Sequence, residues 1–137
     1  LSREGRVYHS MPLDLMEDWT GFHFLEETLY DGDGIVPVHA VIPRFYGYYV
    51  PDENAARSVR LSPILMIEDC GEPIRTELLT HHQRQIIYSF CARLHRAGVI
   101  HRSFRSRNIL WQPGPLSVEP SKRSMSTPSF RIVDFGR

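Results

Sequence analysis

The run from Thr80 to Gly98 constrains this chain more than any other stretch. Thr80 is placed to act as a helix N-cap, with Gln83 as its reciprocal partner three residues on. Ile86, Ile87, Phe90, Leu94 and Ala97 then recur at helical spacing, and Gly98 supplies the C-terminal stop. A helix with one apolar stripe must bury it against another layer. The candidate layer is β-rich: Pro43 to Val50 and Leu61 to Glu68 precede the helix, and Phe130 to Val133 follows it. The first two flank the turn residues Pro51-Asp52-Glu53-Asn54 and read as an antiparallel pair. The fold class that follows is α+β.

The remaining segments are less regular. Residues 1–20 mix Met, Pro, Asp and Trp without a sustained period and read as strand or loop. Phe22, Leu25 and Leu29 recur at helical spacing between Gly21 and Tyr30, and Asp31-Gly32-Asp33-Gly34 stops that helix. The Asp/Gly run lacks the later ligands of a calcium loop and reads as a turn. Gln112 to Pro128 holds prolines and hydroxyl residues throughout and reads as a surface loop. No internal repeat is present.

Composition narrows the class. With 137 residues the chain makes one domain, and its 16 basic and 16 acidic residues leave no net field to draw nucleic acid or an anionic membrane. Lys122 is the only lysine. Cys70 and Cys91 lack metal-ligand spacing and fit two small buried thiols in a reducing compartment. No apolar run approaches the ~18 residues of a spanning helix, and the first residues lack a signal-peptide core. The expectation is a soluble intracellular protein, cytoplasmic or nuclear. The start at Leu1 and the stop just after Gly136 read as a fragment or an unusual gene product.

Chemistry concentrates at two places. His101-Arg102-Ser103-Phe104-Arg105-Ser106-Arg107-Asn108 follows the helix, and Phe130-Arg131-Ile132-Val133 runs into Asp134-Phe135-Gly136. An aspartate ending a buried strand and an asparagine ending a short loop are suitable oxygen ligands for a metal that neutralises phosphate. Either motif alone is weak. Their order is informative: apolar helix, His-Arg loop, Asn, the β-like Ile109-Leu110-Trp111, then a strand ending in Asp-Phe-Gly.

In this combination, from about Phe22 to Gly136, the chain resembles the protein-kinase-like superfamily, closest to kinase-like proteins abundant in fungi. The resemblance implies a partial two-lobe fold: a small-lobe portion over 1–70, the hinge and start of the large lobe over 71–137, and an inserted loop over 112–128. It implies ATP and Mg²⁺, with Asn108 and Asp134 as metal ligands and Ser103 and Arg105 in the catalytic loop. Leu65 to Gly71 resembles the strand and hinge linking the lobes, which implies Ile67 at the back of an adenine pocket and the Glu68 carbonyl and Cys70 amide facing the purine. Glu26 resembles the phosphate-side glutamate of the family's regulatory helix, and equally fits a solvated helix carboxylate. His101 and Arg102 are implied to be structural.

Departures from the family pattern bear on activity. The position of the catalytic aspartate is Ser103, whose hydroxyl cannot serve as a carboxylate base, and losing a positioned base costs ~10²–10⁴ in rate. No lysine precedes Glu26 to clamp the phosphates, and Arg6 is not equivalent to one. The 26-residue interval from Asn108 to Asp134 is about double the family's usual spacing. The segment that would position a peptide substrate would lie after Arg137. The expectation is a kinase-like domain with little or no phosphotransfer and weak or absent nucleotide binding. The alternatives are a pseudokinase scaffold that binds a protein partner and a small-molecule phosphotransferase of the aminoglycoside or choline type.

Overall fold

In a computed structural model that describes residues 3–18, 22–24, 35–52 and 61–136, the elements grow from the caps and stripes outlined above. Helix α2 (His81–Arg96) opens on the full capping box. The Gln83 amide donates to Thr80 Oγ1 at 3.2 Å and the Gln83 side chain accepts from the Thr80 amide at 2.9 Å. At its other end Gly98 takes φ +74°. There the Gly98 amide reaches the His95 carbonyl and the Val99 amide the Leu94 carbonyl, both at 2.9 Å, so the left-handed glycine satisfies two orphan acceptors. Ile86, Ile87, Phe90 and Leu94 are buried, as the stripe requires, while Ala97, its last expected member, is exposed at the C-cap.

Strands β3 (Phe45–Tyr49) and β4 (Ile64–Ile67) form the expected antiparallel pair, with a register shift between Phe45 and Gly47. Of the turn between them, Glu53 and Asn54 lie outside the described residues. Two short strands, β1 (Phe22–Phe24) and β2 (Ile35–Pro37), pair antiparallel. The helix expected over 21–30 is therefore corrected at its start, where strand pairing wins over helical spacing. Residues 25–30, Glu26 among them, and the Asp31–Gly34 turn lie outside the described residues.

Two further expectations fail. Residues 1–20 contain a helix, α1 (Arg3–Ser10), followed by a 3₁₀ turn at Leu13–Leu15. Its buried side, Gly5 and Tyr8 continued by Met11, is too short to register as a period. The loop expected over 112–128 is shorter: β6 (Ile109–Gly114) pairs with β7 (Ser124–Ile132) as a hairpin, and residues 115–123 form the connection. Pro113, Ser124 and Ser126 occupy exposed strand positions and Pro128 a half-buried one, with the register shifting around Pro113. β5 (Glu72–Pro73) joins the other edge of β6, giving the order β5-β6-β7.

One hydrophobic cluster holds these parts together, from Tyr8, Met11, Leu15 and Met16 through Val41 and Ile42 to Phe90, Trp111, Phe130, Ile132 and Phe135. It draws on both sides of residue 70. The molecule is a mixed α+β protein with small antiparallel sheets. No helix among the described residues is long and apolar enough to cross a membrane.

Candidate functional site

The β6–β7 pairing decides where the site forms. Ile109 lies opposite Ile132, so the residue before one and the residues after the other meet at the same end of the hairpin. The Val133 amide donates to the Asn108 carbonyl at 2.9 Å and closes that end. Asn108 and Asp134, separated by 26 residues, thereby touch: Asn108 Nδ2 donates to Asp134 Oδ2 at 2.9 Å. The same amide nitrogen reaches the Ser103 carbonyl at 2.9 Å and Ser103 Oγ at 3.3 Å. Both Asn108 and Ser103 are buried.

His101 fixes the loop on the strand. Its Nε2 lies 2.8 Å from the Val133 carbonyl, which can only accept, so Nε2 carries the proton. Nδ1 then accepts from the Ser103 amide at 3.2 Å. The imidazole packs edge-on against Phe135, with centroids 4.6 Å apart. Phe135 meets Tyr8 at 5.6 Å, and Tyr8 stacks near Phe45 at 6.2 Å. A column of four rings thus runs from the His101 loop through the Asp134 segment and α1 to β3. Such edge and offset contacts add to plain area burial.

Asp134 takes φ +68°, the one non-glycine residue at positive φ among those described. Holding an aspartate there costs on the order of 1–2 kcal/mol, which surrounding contacts must offset. Beside it stands Glu4 of α1. Burial, then the charge of Asp134, raises the Glu4 pKa, while the Phe135 backbone amide acts against both. A side chain at Gly136 would meet the Glu4 carboxylate at 3.6 Å. Burial likewise pushes the Tyr8 phenol up, ahead of the charges of Glu4, Cys70 and Asp134. The Asp134 backbone faces its hydroxyl, but without the geometry of a hydrogen bond.

The hinge-like residues run on from β4 towards β5 and meet β7 at Arg131. Glu68 is the hub: its two carboxylate oxygens take Arg131 Nε at 3.0 Å and Nη2 at 3.2 Å. Arg131 is 4 % exposed, and its Nη1 is satisfied by the Ala40 and Phe130 carbonyls. Two parallel N–H···O bonds of this kind fix orientation as well as distance. The Glu68 amide donates to the Arg44 carbonyl, and the Glu68 carbonyl accepts from the Cys70 thiol at 3.2 Å. Burial and then the Glu68 charge push that thiol up to about 12. Ile67 packs half-buried against the core. Gly71, at φ +77°, passes so close to β6 that a Cβ there would meet the Trp111 carbonyl at 2.2 Å, so only glycine fits.

The structure thus brings Ser103, Asn108 and Asp134 into one cluster, with Arg105 exposed on the same loop. Ile67, Glu68 and Cys70 form a separate group, joined to it through β6 and β7. Sequence reasoning missed Glu4, Tyr8 and Arg131. Arg131 between Phe130 and Ile132 was a signal for a buried pair, whereas Glu4 and Tyr8 sit on a helix too short to show a period.

As metal ligands, Asn108 and Asp134 are a sparse set. Among the described residues no three His, Cys, Asp or Glu side chains gather to hold an ion. Asn108 Oδ1 and Asp134 Oδ1 have no hydrogen bond among those residues. That pair fits Mg²⁺ arriving with phosphate, which takes one or two protein oxygens and keeps waters, rather than a resident structural metal. No known protein family, characterised protein or solved structure matches the chain.

Proposed function

We propose that this chain is part of a protein-kinase-like domain that binds Mg²⁺-nucleotide weakly and transfers phosphate slowly or not at all. The observation that carries the proposal is the Asn108–Asp134 contact at 2.9 Å. Two oxygen donors from a loop and a strand end are held together by backbone pairing, as a metal–phosphate site needs. His101, anchored on Val133 and packed on Phe135, supports it by fixing the loop and the Asp134 segment as one unit. Bound Mg²⁺ would neutralise phosphate charge, with Asp134 and Asn108 supplying its protein oxygens. Ile67, Glu68 and Cys70 would border the base through backbone contacts.

Ser103 carries the slow half of the proposal. Its buried side chain touches the Asn108 amide, and a serine hydroxyl at neutral pH cannot take a substrate proton as a carboxylate does. Nucleotide handling without efficient transfer also accommodates a scaffold that binds a protein partner. In a thermal-shift experiment, millimolar Mg²⁺-ATP should raise the melting temperature in a metal-dependent way, and Asp134→Ala should abolish the rise. Binding at a hundredfold excess over Kd corresponds to ~2.7 kcal/mol. No shift with ATP and Mg²⁺ would defeat the nucleotide half. Steady turnover of labelled ATP, abolished in Asp134→Ala, would defeat the slow-transfer half.

A further inference from the structure

The loop that places Ser103 is also the most positively charged segment of an otherwise balanced chain. Between Glu77 and Glu119 there is no acidic residue, while Arg84, Arg93, Arg96, Arg102, Arg105 and Arg107 all fall there. Arg93 is spent inside, on the His39 and Asp14 carbonyls, and Arg84 on the Leu79 and Thr76 carbonyls. Arg102, Arg105 and Arg107 are different. All three are exposed, and none makes a side-chain hydrogen bond or ion pair among the described residues. They share the loop that runs from His101 to Asn108, with Phe104 exposed between them and Ile100 76 % exposed just before. Ser103 leaves this loop without a negative charge of its own.

We propose that the 100–107 loop is a docking surface for an acidic peptide segment of a partner protein, with Arg102, Arg105 and Arg107 taking its carboxylates. Guanidinium groups pair with carboxylates through two parallel bonds, and unpaired exposed arginines hold that capacity in reserve. Ile100 and Phe104 add apolar contact between the charges, which suits a peptide. A nucleic acid is disfavoured because its affinity comes from neutralising a long run of phosphates, whereas three arginines on one short loop offer only a few contacts. The proposal goes beyond the nucleotide reading and does not depend on it.

The test is fluorescence anisotropy on the full chain, without nucleotide, using a short labelled peptide of alternating glutamate and glycine. Binding should weaken roughly tenfold in R105Q/R107Q, and should fall as ionic strength rises above ~0.15 M. K122Q removes a cation that sits on the remote 115–123 connection and should bind like the parent. Should the double variant fail to melt as the parent does, R102Q alone and the salt dependence decide, and unchanged affinity in both overturns the proposal. So does an absence of peptide binding, or equal binding by a labelled oligothymidylate of the same length. Any of these outcomes leaves the Mg²⁺-ATP shift to stand or fall separately.

Discussion

At the scale of single residues, two charged groups do unusual structural work. Arg131 is buried in a strand with every guanidinium nitrogen engaged, four of its bonds going to Glu68, Ala40 and Phe130. Removing one partner of such a pair leaves an uncompensated buried charge, so Arg131→Ala should lower stability by ~3–5 kcal/mol in chemical denaturation. Replacing both partners, Arg131→Met with Glu68→Leu, should recover most of that loss. If the single variant were neutral, the fork would be ornamental. Asp18 tests a second contact. His39, and after it the Ala40 amide and the charge of Arg131, hold its carboxyl at about 2 against the opposing effect of burial. The imidazole stands at 3.7 Å, a loose contact, while the Ala40 amide donates at 2.7 Å and is the firmer bond. A depressed folded-state pKa contributes stability that is complete above the unfolded value of 3.8 and is lost as pH falls towards about 2. Asp18→Asn should therefore flatten the acid limb of the stability–pH curve in that window and leave the limb above pH ~5 unchanged. An unchanged acid limb would place the loss elsewhere.

At the scale of elements, α2 was the most legible part of the sequence because its signals are local and agree. A capping box, a stripe and a terminal glycine each specify the same helix, and all three are realised apart from Ala97, which the stripe included and which is exposed at the C-cap. Phe90, fully buried in the cluster, is the residue on which the helix turns: Phe90→Ala should cost ~3–5 kcal/mol by calorimetry or denaturant melt. A loss below ~1 kcal/mol would mean that the helix packs loosely. The hairpin was illegible for the opposite reason. Pro113, Pro115 and the serines of 117–129 carry turn propensity, yet strand pairing is set by the partner across the ladder, and β6 and β7 protect each other's backbone groups. Helix α1 was hidden because its eight residues offer too few turns for a period, and its buried side is defined by Phe45 and Phe135, which lie far away in sequence. Of the candidate site, Asn108 and Asp134 could be read as a pair from motif order, whereas Glu4 could not, because nothing local links residue 4 to residue 134.

At the scale of the whole molecule, the segment from His39 to Ile42 joins the parts. It lies in no strand, yet successive carbonyls of His39, Ala40 and Val41 accept from Arg93 of α2, Arg131 of β7 and the Ile132 amide. In the other direction the Ala40 amide goes to Asp18, and those of Val41 and Ile42 go to the Leu15 carbonyl. Ala40, Val41 and Ile42 are essentially inaccessible to water. In solvent deuterium, the Val41 and Ile42 amides should therefore be among the slowest to exchange, alongside the middle of α2, since releasing them requires separating helix, hairpin and the Leu13–Leu15 turn at once. Exchange at loop-like rates would show that these parts open independently. A stretch without secondary structure would then be the last to surrender its protons, and its clock would report the cooperativity of the entire fold.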